Sequence, residues 1–341
     1  MEEREAAPGA EEPAVTAPPA VGRGILRPRT ILSFLVAFAV LAFFFRSGKL
    51  DFAATWARMR ASNWALLLLA FAVYYATFVV RSLRWRTLLA NVGYSRASGY
   101  AIPSLAGLCE ILYLSWFTNC VVPARLGDAY RGYMLRKSAG VSFTVTLGTI
   151  LAERLIDVSV LAVLMTAAAL VAFHGTMPPE ATRTLAAGLV LTAVGIVGLV
   201  ALPRLRPLID RVLPQRFQRH YAGLEAGVLG SFRRIPVLLG YSIVAWLIEG
   251  LTLYIIGRAV GAPISPDKAI LVALAASLLS TVPFTPAGLG VAEAGMVLLL
   301  RLPQIGLEQN TAAAVALLDR AITYGSIVIF GAVLYIVSRK K

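Results

Sequence analysis

A thirteen-residue segment occurs twice in this chain, and the duplication constrains the fold more than any other feature. The copies are Pro123–Leu135 and Pro286–Leu298, which begin 163 positions apart and share seven identical residues. Each copy is followed by an apolar segment that contains an acidic residue next to an arginine, Glu153-Arg154 and Asp319-Arg320. Because the two charged pairs follow the two copies in the same order, we interpret the pattern as an internal duplication.

The composition places the chain in a membrane. Of its 341 residues, 58% are hydrophobic and the mean hydropathy is +0.74, whereas soluble domains are about 45–50% apolar. We therefore predict an all-α polytopic membrane protein. The net charge of +14 then indicates cytoplasmic loops and anionic lipid headgroups. It does not indicate a nucleic-acid partner, because no soluble domain is predicted that would carry a basic binding face.

Metal and cofactor chemistry are not indicated. The chain has two Cys and two His, and no pair has the spacing of metal ligands. There is no glycine-rich phosphate loop after a strand, no nucleophile elbow and no zincin motif. We predict no metal, no cofactor and no catalytic residue, although a membrane-embedded enzyme stays open.

Six apolar segments predict membrane spans. They are residues 31–45, 64–80, 142–173, 182–202, 236–256 and 311–337. The first 22 residues are rich in Glu, Ala, Pro and Gly and predict a disordered tail, which leaves residues 23–341 as the membrane domain. Residues 203–235 predict a basic cytoplasmic loop. Residues 82–89 form either a short interfacial helix, with Trp85 at headgroup level, or a basic loop.

Two further apolar segments, residues 101–122 and 269–300, are interrupted by helix-breaking or polar residues. The interruptions are Pro103, Gly107, Glu110, Asn119 and Pro123 in the first, and Pro283, Pro286, Gly288 and Gly290 in the second. Broken helices are tolerated at membrane depth only where protein or a wet cavity surrounds them. We therefore prefer a re-entrant element to a clean span. Repeat 1 covers about residues 101–172 and repeat 2 about 268–337.

The distribution of basic residues predicts the topology. Arginine-rich loops stay in the cytoplasm, which places residues 203–235 and both termini there. The two broken elements then enter the membrane from opposite faces. Such an inverted repeat is typical of carriers, whose site lies between the repeats near the midplane. The residues predicted to break or turn helices are Pro123, Gly127, Pro283, Pro286, Gly288 and Gly290.

Charged residues inside apolar segments are the candidate site, because each costs about 2.5–3.5 kcal/mol to insert. Four arginines are predicted to bind an anionic lipid headgroup: Arg125, Arg131, Arg154 and Arg320. The polar residues assigned to the same cavity are Asn119, Asp128, Glu153, Asp157, Glu249, Glu293 and Asp319. Arg154 and Asp157, three apart on a helix, can share a face. The alternatives are internal salt bridges between the two halves and, for Arg125 and Arg131, ordinary positive-inside anchoring.

Three motifs together resemble the flippase-like integral membrane domain of lysylphosphatidylglycerol synthases. They are Asn119-x-x-x-Pro123-x-Arg125-x-Gly127-Asp128-x-x-Arg131, Glu153-Arg154-x-x-Asp157, and Pro283-x-x-Pro286-x-Gly288-x-Gly290-Val291-x-Glu293. The resemblance covers about residues 30–338, and Asp128 stands where that pattern has Glu. It implies translocation of a lipid in a bacterial inner membrane. Aminoacyl transfer is not implied, because the soluble transferase domain of the synthases has no counterpart here. Relatives linked with polyprenyl-phosphate and hopanoid pathways leave the lipid open.

Three functional hypotheses follow. The first is a translocase for an anionic phospholipid or a polyprenyl-phosphate-linked lipid. The second is a non-catalytic membrane subunit or scaffold for a glycosyl- or acyltransferase. The third is a membrane-embedded enzyme that acts on a lipid-linked substrate through Glu153 or Glu293. The partners expected are membrane lipids and, for the second hypothesis, a lipid-modifying transferase. The oligomeric state is left open.

Overall fold

A computed structural model describes residues 50–122, 126–173, 179–280 and 286–338, together with Leu35 and Ala39. Within these residues every regular element is helical, which confirms the predicted all-α class. The α-helices are α1 (Phe52–Arg60), α2 (Trp64–Asn91), α3 (Leu105–Val121), α4 (Leu126–Ala139), α5 (Phe143–Ala172), α6 (Pro179–Val212), α7 (Gln215–Gly230), α8 (Ile235–Val260), α9 (Pro266–Leu279), α10 (Val291–Leu300), α11 (Gln309–Arg320) and α12 (Ser326–Val337).

Five helical segments of the described chain are long and apolar enough to cross a membrane. They are Trp64–Ser98, Phe143–Ala172, Leu185–Val212, Phe217–Val260 and Gln309–Val337. Each contains or closely matches one of the predicted spans. The remaining predicted span, residues 31–45, lies outside the described residues except for Leu35 and Ala39, and the predicted disordered tail lies outside them entirely.

Helix α2 corrects the interpretation of residues 82–89. These residues form neither a separate interfacial helix nor a loop, because α2 continues without a break to Asn91. Trp85 is fully buried inside the bundle instead of lying at headgroup level. Arg84 beside it is fully buried as well. The membrane segment is therefore longer than hydropathy alone indicated, and it carries arginines into the protein interior.

The predicted basic loop, residues 203–235, is mostly helical. Helix α6 extends through Pro203 and Pro207 to Val212, and α7 follows almost at once. Helix α7 packs against α5, where a Cβ atom on Gly227 would collide with the backbone of Val145 and Gly148. Small residues at this crossing let the two backbones approach closely, as is common between membrane helices.

Hydrogen bonds between helix ends define two faces of the bundle. The backbone N–H of Asn63, at the start of α2, donates to Ala259 O near the end of α8 at 2.9 Å. At the other end of α2, the side-chain amide of Asn91 donates to Ser231 O at 2.8 Å. Helices α2 and α8 are therefore antiparallel. We call the two ends of the bundle the Asn63 face and the Asn91 face.

Helices α3 and α4 form a hairpin, hairpin 1, that begins and ends at the Asn91 face. The loop before α3 contains Tyr94, whose hydroxyl accepts from the N–H of Ser142, just after α4. The helices have 17 and 14 residues, about 26 and 21 Å, against a hydrocarbon core of about 30 Å. One expectation was wrong: Gly107, Glu110 and Asn119 do not interrupt α3, which is a single helix.

Helices α9 and α10 form a second hairpin, hairpin 2, at the opposite face. Helix α9 begins six residues after α8 ends at the Asn63 face. Helix α11 begins at that same face, since the N–H of Asp51 donates to Asn310 Oδ1. Between α9 and α10 a short 3₁₀ turn, Pro286–Gly288, packs against α3. The two hairpins therefore enter from opposite faces, as the distribution of basic residues predicts, and the turn of hairpin 2 contacts hairpin 1 inside the bundle.

Candidate functional site

The two hairpins carry matching ion pairs. Asp128 is the third residue of α4, and its Oδ1 accepts from Arg154 Nη2 of α5 at 2.8 Å. Glu293 is the third residue of α10, and its Oε1 accepts from Arg320 Nε of α11 at 2.8 Å. In each repeat an arginine of the following helix thus holds an acid in the first turn of the returning helix. An acid at this position also complements the positive helix end.

The repeated glycines sit where the chain reverses. The N–H of Gly127 donates to Asn119 Oδ1 at 2.8 Å, and a Cβ on Gly127 would collide with the carbonyl oxygen of Ser115. In hairpin 2 the N–H of Gly290 donates to Glu293 Oε2 at 2.6 Å. Gly290 has a φ of 88°, which favours glycine. The Asn119 and Glu293 side chains thus satisfy the same backbone group in the two copies.

The side chain of Arg154 is partly exposed at the surface of the helix bundle, well away from the ends of the membrane segment. It lies about 17 Å along α5 from Phe143, and its side chain is 31% exposed while that of Asp128 is 22% exposed. Leu151 and Val158, three residues before and four after it, are exposed apolar residues and therefore share its helix face. The guanidinium consequently borders a surface that faces lipid.

Arg320 lies between the two hairpins. Its Nη2 donates to Ala287 O in the 3₁₀ turn of hairpin 2 at 2.8 Å. Its guanidinium carbon lies 5.3 Å from the ring centre of Tyr324, whose hydroxyl donates to Cys120 O of hairpin 1 at 3.2 Å. Residues 320–324 thus contact both hairpins. They overlap a π-helical turn, Ala321–Gly325, an irregularity that is frequent at functional sites.

A buried network occupies the side of the molecule nearer the Asn91 face. Arg84 Nη2 donates to Glu153 Oε1 at 2.9 Å, and its Nη1 donates to Asp157 Oδ1 at 2.5 Å and to Ser242 Oγ at 2.6 Å. Arg131 Nη2 donates to the second Glu153 oxygen at 2.8 Å. Arg84 and Arg131 are enclosed, so this network matches the salt-bridge alternative and not a headgroup site.

Arg81 extends the network and, like Arg84, was missed among the candidate site residues. Its Nη2 donates to Glu249 Oε1 at 2.7 Å, and the other Glu249 oxygen accepts from Ser277 Oγ of α9 at 2.7 Å. The signal for both arginines was their spacing of three within an otherwise apolar helix, which places them on one face. They appeared instead as flanking charges because the predicted span ended at residue 80.

The structure thus separates the predicted site residues into three groups. Arg154 with Asp128 and Arg320 with Glu293 lie at the hairpins, and Arg131, Glu153, Asp157 and Glu249 belong to the buried network. Arg154 and Asp157 bind different partners rather than each other. Asp319 accepts from Thr323 Oγ1 at 3.4 Å.

Arg125, Pro123 and Pro283 lie outside the described residues. Among those that are described, no cluster of His, Cys, Asp and Glu has the form of a metal site.

Residues 30–331 match the family described as the lysylphosphatidylglycerol synthase TM region. This chain belongs to that family. Relatives within it carry little functional information in their names. A UPF0104 membrane protein of Methanocaldococcus jannaschii is 34% identical over 227 residues, which cover 65% of this chain and 95% of the relative. A UPF0104 membrane protein of Pyrococcus horikoshii is 23% identical over 83% of this chain and 90% of its own length.

One similar protein has an enzymatic name. Glycosyltransferase AglD of Haloferax volcanii is 25% identical over 298 residues, which cover 76% of this chain and 46% of AglD. More than half of AglD therefore lies outside the match.

Proposed function

We propose that this protein moves an anionic lipid across the membrane and that the headgroup enters at the Arg154–Asp128 pair. The observation that carries the proposal is the exposure of this pair deep inside the membrane segment. A charge at that depth needs water or another polar partner, because hydrocarbon solvates it poorly. An anionic headgroup would supply such a partner to Arg154.

The neighbours of Arg154 support a lipid as the substrate. Leu151 and Val158 are exposed on the same helix face, so a headgroup at Arg154 could leave its acyl or polyprenyl tails in the bilayer. The substrate class is a phosphate-bearing lipid, either a phospholipid or a polyprenyl-phosphate-linked one. A guanidinium recognises the phosphate group that both share.

The paired hairpins support movement rather than simple binding. Two similar elements that enter from opposite faces and touch in the middle are the usual framework of alternating access. Each has its own arginine–acid pair, so each can close one side of the path. We propose no chemical step and assign no catalytic residue.

We propose the orientation of this integral membrane protein from the positive-inside rule. The Asn91 face would be cytoplasmic, because residues 86–100, 132–141 and 203–235, which lie towards that face, hold more arginines than the segments at the Asn63 face. Both termini would then be cytoplasmic as well. A bacterial inner membrane as the location rests on the family resemblance.

The test is lipid translocation by the purified full chain in liposomes that contain fluorescent phosphatidylglycerol, with an impermeant quencher as readout. Arg154→Gln should reduce the rate at least about tenfold, whereas Arg258→Gln, at the exposed end of α8, should not. Asp128→Asn separates function from structure. If the pair only holds hairpin 1 in place, both members matter equally, but a headgroup role predicts that the Asp128 variant keeps transport. Equal rates for Arg154→Gln and the unmodified protein would overturn the proposal.

A second candidate function is a non-catalytic membrane subunit or scaffold for a glycosyltransferase. The match to part of AglD favours it, because the protein that contains this similar region is named as a glycosyltransferase. The same liposomes distinguish the two. A scaffold alone would give no translocation above that of protein-free vesicles, and Arg154→Gln would leave its association with a transferase unchanged.

A further inference from the structure

Asp319 differs from the other buried acids of the described chain. Glu153, Asp157, Glu225 and Glu293 are buried, and each has an arginine nitrogen within 4 Å. Asp319 is also buried, but among the described residues its only hydrogen bond is the long one from Thr323 Oγ1, at 3.4 Å. No described Lys or Arg nitrogen lies within 4 Å of it. A buried carboxylate without a cation is costly, so its persistence in an apolar helix calls for a ligand.

The position of Asp319 points to the hairpins. It lies about 15 Å along α11 from Gln309 and directly precedes Arg320, which holds the turn of hairpin 2 through Ala287 O. The π-helical turn that follows contains Tyr324, which holds hairpin 1 through Cys120 O. A change of charge at Asp319 therefore alters the electrostatic environment of Arg320 and Tyr324, the residues that bind the two hairpins.

The groups around Asp319 are mostly negative or neutral. Arg320 is the charged residue that interacts with it most strongly, followed by Glu249 of α8 and Glu293 of α10, and Tyr74 of α2 interacts with it as well. The nearest cation, Arg320, is already engaged by Glu293 and by the carbonyl of Ala287. Arg58 of α1 lies at the far end of α11, paired with Glu308. The surroundings thus suit a bound proton better than a metal cation, which would require several converging oxygen ligands.

We propose that Asp319 is a proton-binding site that couples lipid movement to a proton gradient. The carboxylate takes up one proton from water at one face and releases it to water at the other, with no other bond made or broken. An anionic headgroup at mid-depth is repelled by ionised Asp319, and a bound proton removes that repulsion. Proton and lipid therefore bind with positive coupling, and linkage requires the effect to be reciprocal. This inference rests on the proposed lipid translocation and adds its energy source.

The experiment measures the rate of fluorescent phosphatidylglycerol translocation in liposomes with and without an imposed difference of one pH unit. For one proton per lipid, that difference supports about a tenfold ratio of lipid between the leaflets. The ratio of the two rates should exceed one for the unmodified protein, fall to one for Asp319→Asn and recover in Asp319→Glu. Asp210→Asn, at an exposed acid of α6, should leave the ratio unchanged.

A second readout keeps the two proposals distinguishable. Infrared spectra at neutral pH should contain the carbonyl band of a protonated carboxyl group, and Asp319→Asn should remove it. Translocation that ignores the pH difference in every variant would overturn proton coupling but leave the translocase standing. Absence of translocation would overturn the translocase, and the infrared band would then decide whether Asp319 binds a proton. If Asp319→Asn leaves the spectrum unchanged, the proton site is refuted.

Discussion

Arg154 and Arg320 occupy corresponding positions in the two halves of the molecule, yet the side chain of Arg154 is 31% exposed and that of Arg320 only 14%. Their acidic partners differ in the same sense, since Asp128 is 22% exposed and Glu293 is 6% exposed. The pair of hairpin 1 is therefore open and the pair of hairpin 2 is enclosed. A carrier that opens one side at a time has this asymmetry in any one of its states.

This asymmetry predicts unequal costs for removing the two arginines. Arg320→Gln should lower the free energy of unfolding by about 3–5 kcal/mol, because it leaves Glu293 buried without a cation. Arg154→Gln should cost less than Arg320→Gln, because Asp128 is less buried than Glu293 and the positive end of α4 still complements its charge. Thermal unfolding of the purified protein in detergent measures both. Equal costs would mean that the two pairs are equally enclosed in the folded protein.

The hairpins predict the sidedness of four exposed positions near their ends. With Cys109 and Cys120 replaced, single cysteines at Ala97 and Ser138 should react with an impermeant maleimide from one face of the membrane. Cysteines at Pro263 and Gln304 should react from the other. Each pair brackets one hairpin, so a hairpin that returns to its own face gives both members the same sidedness. Opposite sidedness for Ala97 and Ser138 would make hairpin 1 a true membrane crossing.

The buried network predicts that Arg84→Leu destabilises the protein strongly. Arg84 is fully enclosed between Glu153 and Asp157, and its removal leaves both carboxylates short of a charged partner. The expected loss is about 3–5 kcal/mol, measured as a fall in thermal stability. Arg86→Leu is the matched control, two residues along the same helix but exposed. It should change stability by less than about 0.5 kcal/mol.

The contact between α5 and α7 predicts opposite effects for two glycine-to-alanine changes. A Cβ on Gly148 would collide with the carbonyl oxygen of Leu224 and with Gly227, whereas a Cβ on Gly198 meets nothing within 4 Å. Gly148→Ala should therefore lower stability by about 1–3 kcal/mol. Gly198→Ala should leave it unchanged or raise it by up to about 1 kcal/mol, because alanine favours helix. Thermal unfolding of both variants tests this, and destabilisation by Gly198→Ala would contradict the assigned packing.

The hydrogen bonds of Glu308, at the Asn63 face, predict that this residue makes a pH-dependent contribution to the stability of the folded protein. Partial burial opposes ionisation, but hydrogen bonds from the backbone N–H of Asn310 and the hydroxyl of Thr311 outweigh it and lower the pKa of Glu308. A lowered pKa in the folded state stabilises the protein above the ordinary glutamate pKa, and this stability is lost as the pH falls through the lowered value. Glu308→Gln should therefore cost up to about 1 kcal/mol at neutral pH and nothing in acid. A cost independent of pH would refute the assignment.

Much of the fold could be predicted because hydropathy and the internal duplication can be read directly from the sequence. Five predicted spans are present in the described chain, and the two hairpins lie where the repeated segments placed them. The errors at residues 82–89 and 203–235 share one cause: the predicted spans ended where charged residues began. Helix α2 continues through Arg81 and Arg84 because Glu249 and Glu153 pair with their charges. These acidic partners lie 168 and 69 residues away in the sequence. Such distant pairing leaves no local trace.

The candidate site was predicted in its residue types but not in its pairs. Arg154, Arg320, Asp128 and Glu293 all followed from their positions in apolar sequence. The acid that each arginine binds depends on where helices α4 and α10 begin. The spacing between these two helix starts differs from the spacing between the two copies of the motif. The duplicated segments are 163 positions apart, whereas α10 starts 165 positions after α4 and Arg320 follows Arg154 by 166. The three-dimensional repeat is thus displaced from the motif repeat by two residues at the helix starts and by three at the arginines.

The exposed face around Arg154 has a consequence for selectivity. In the proposed transport, a guanidinium flanked by Leu151 and Val158 on an open helix surface would touch the charged end of a lipid and enclose nothing beyond it. Tail length, branching and unsaturation would then make no difference to recognition, while the number of negative charges on the headgroup would. Lipids as different as a two-chain phospholipid and a long isoprenoid phosphate would compete for the same place.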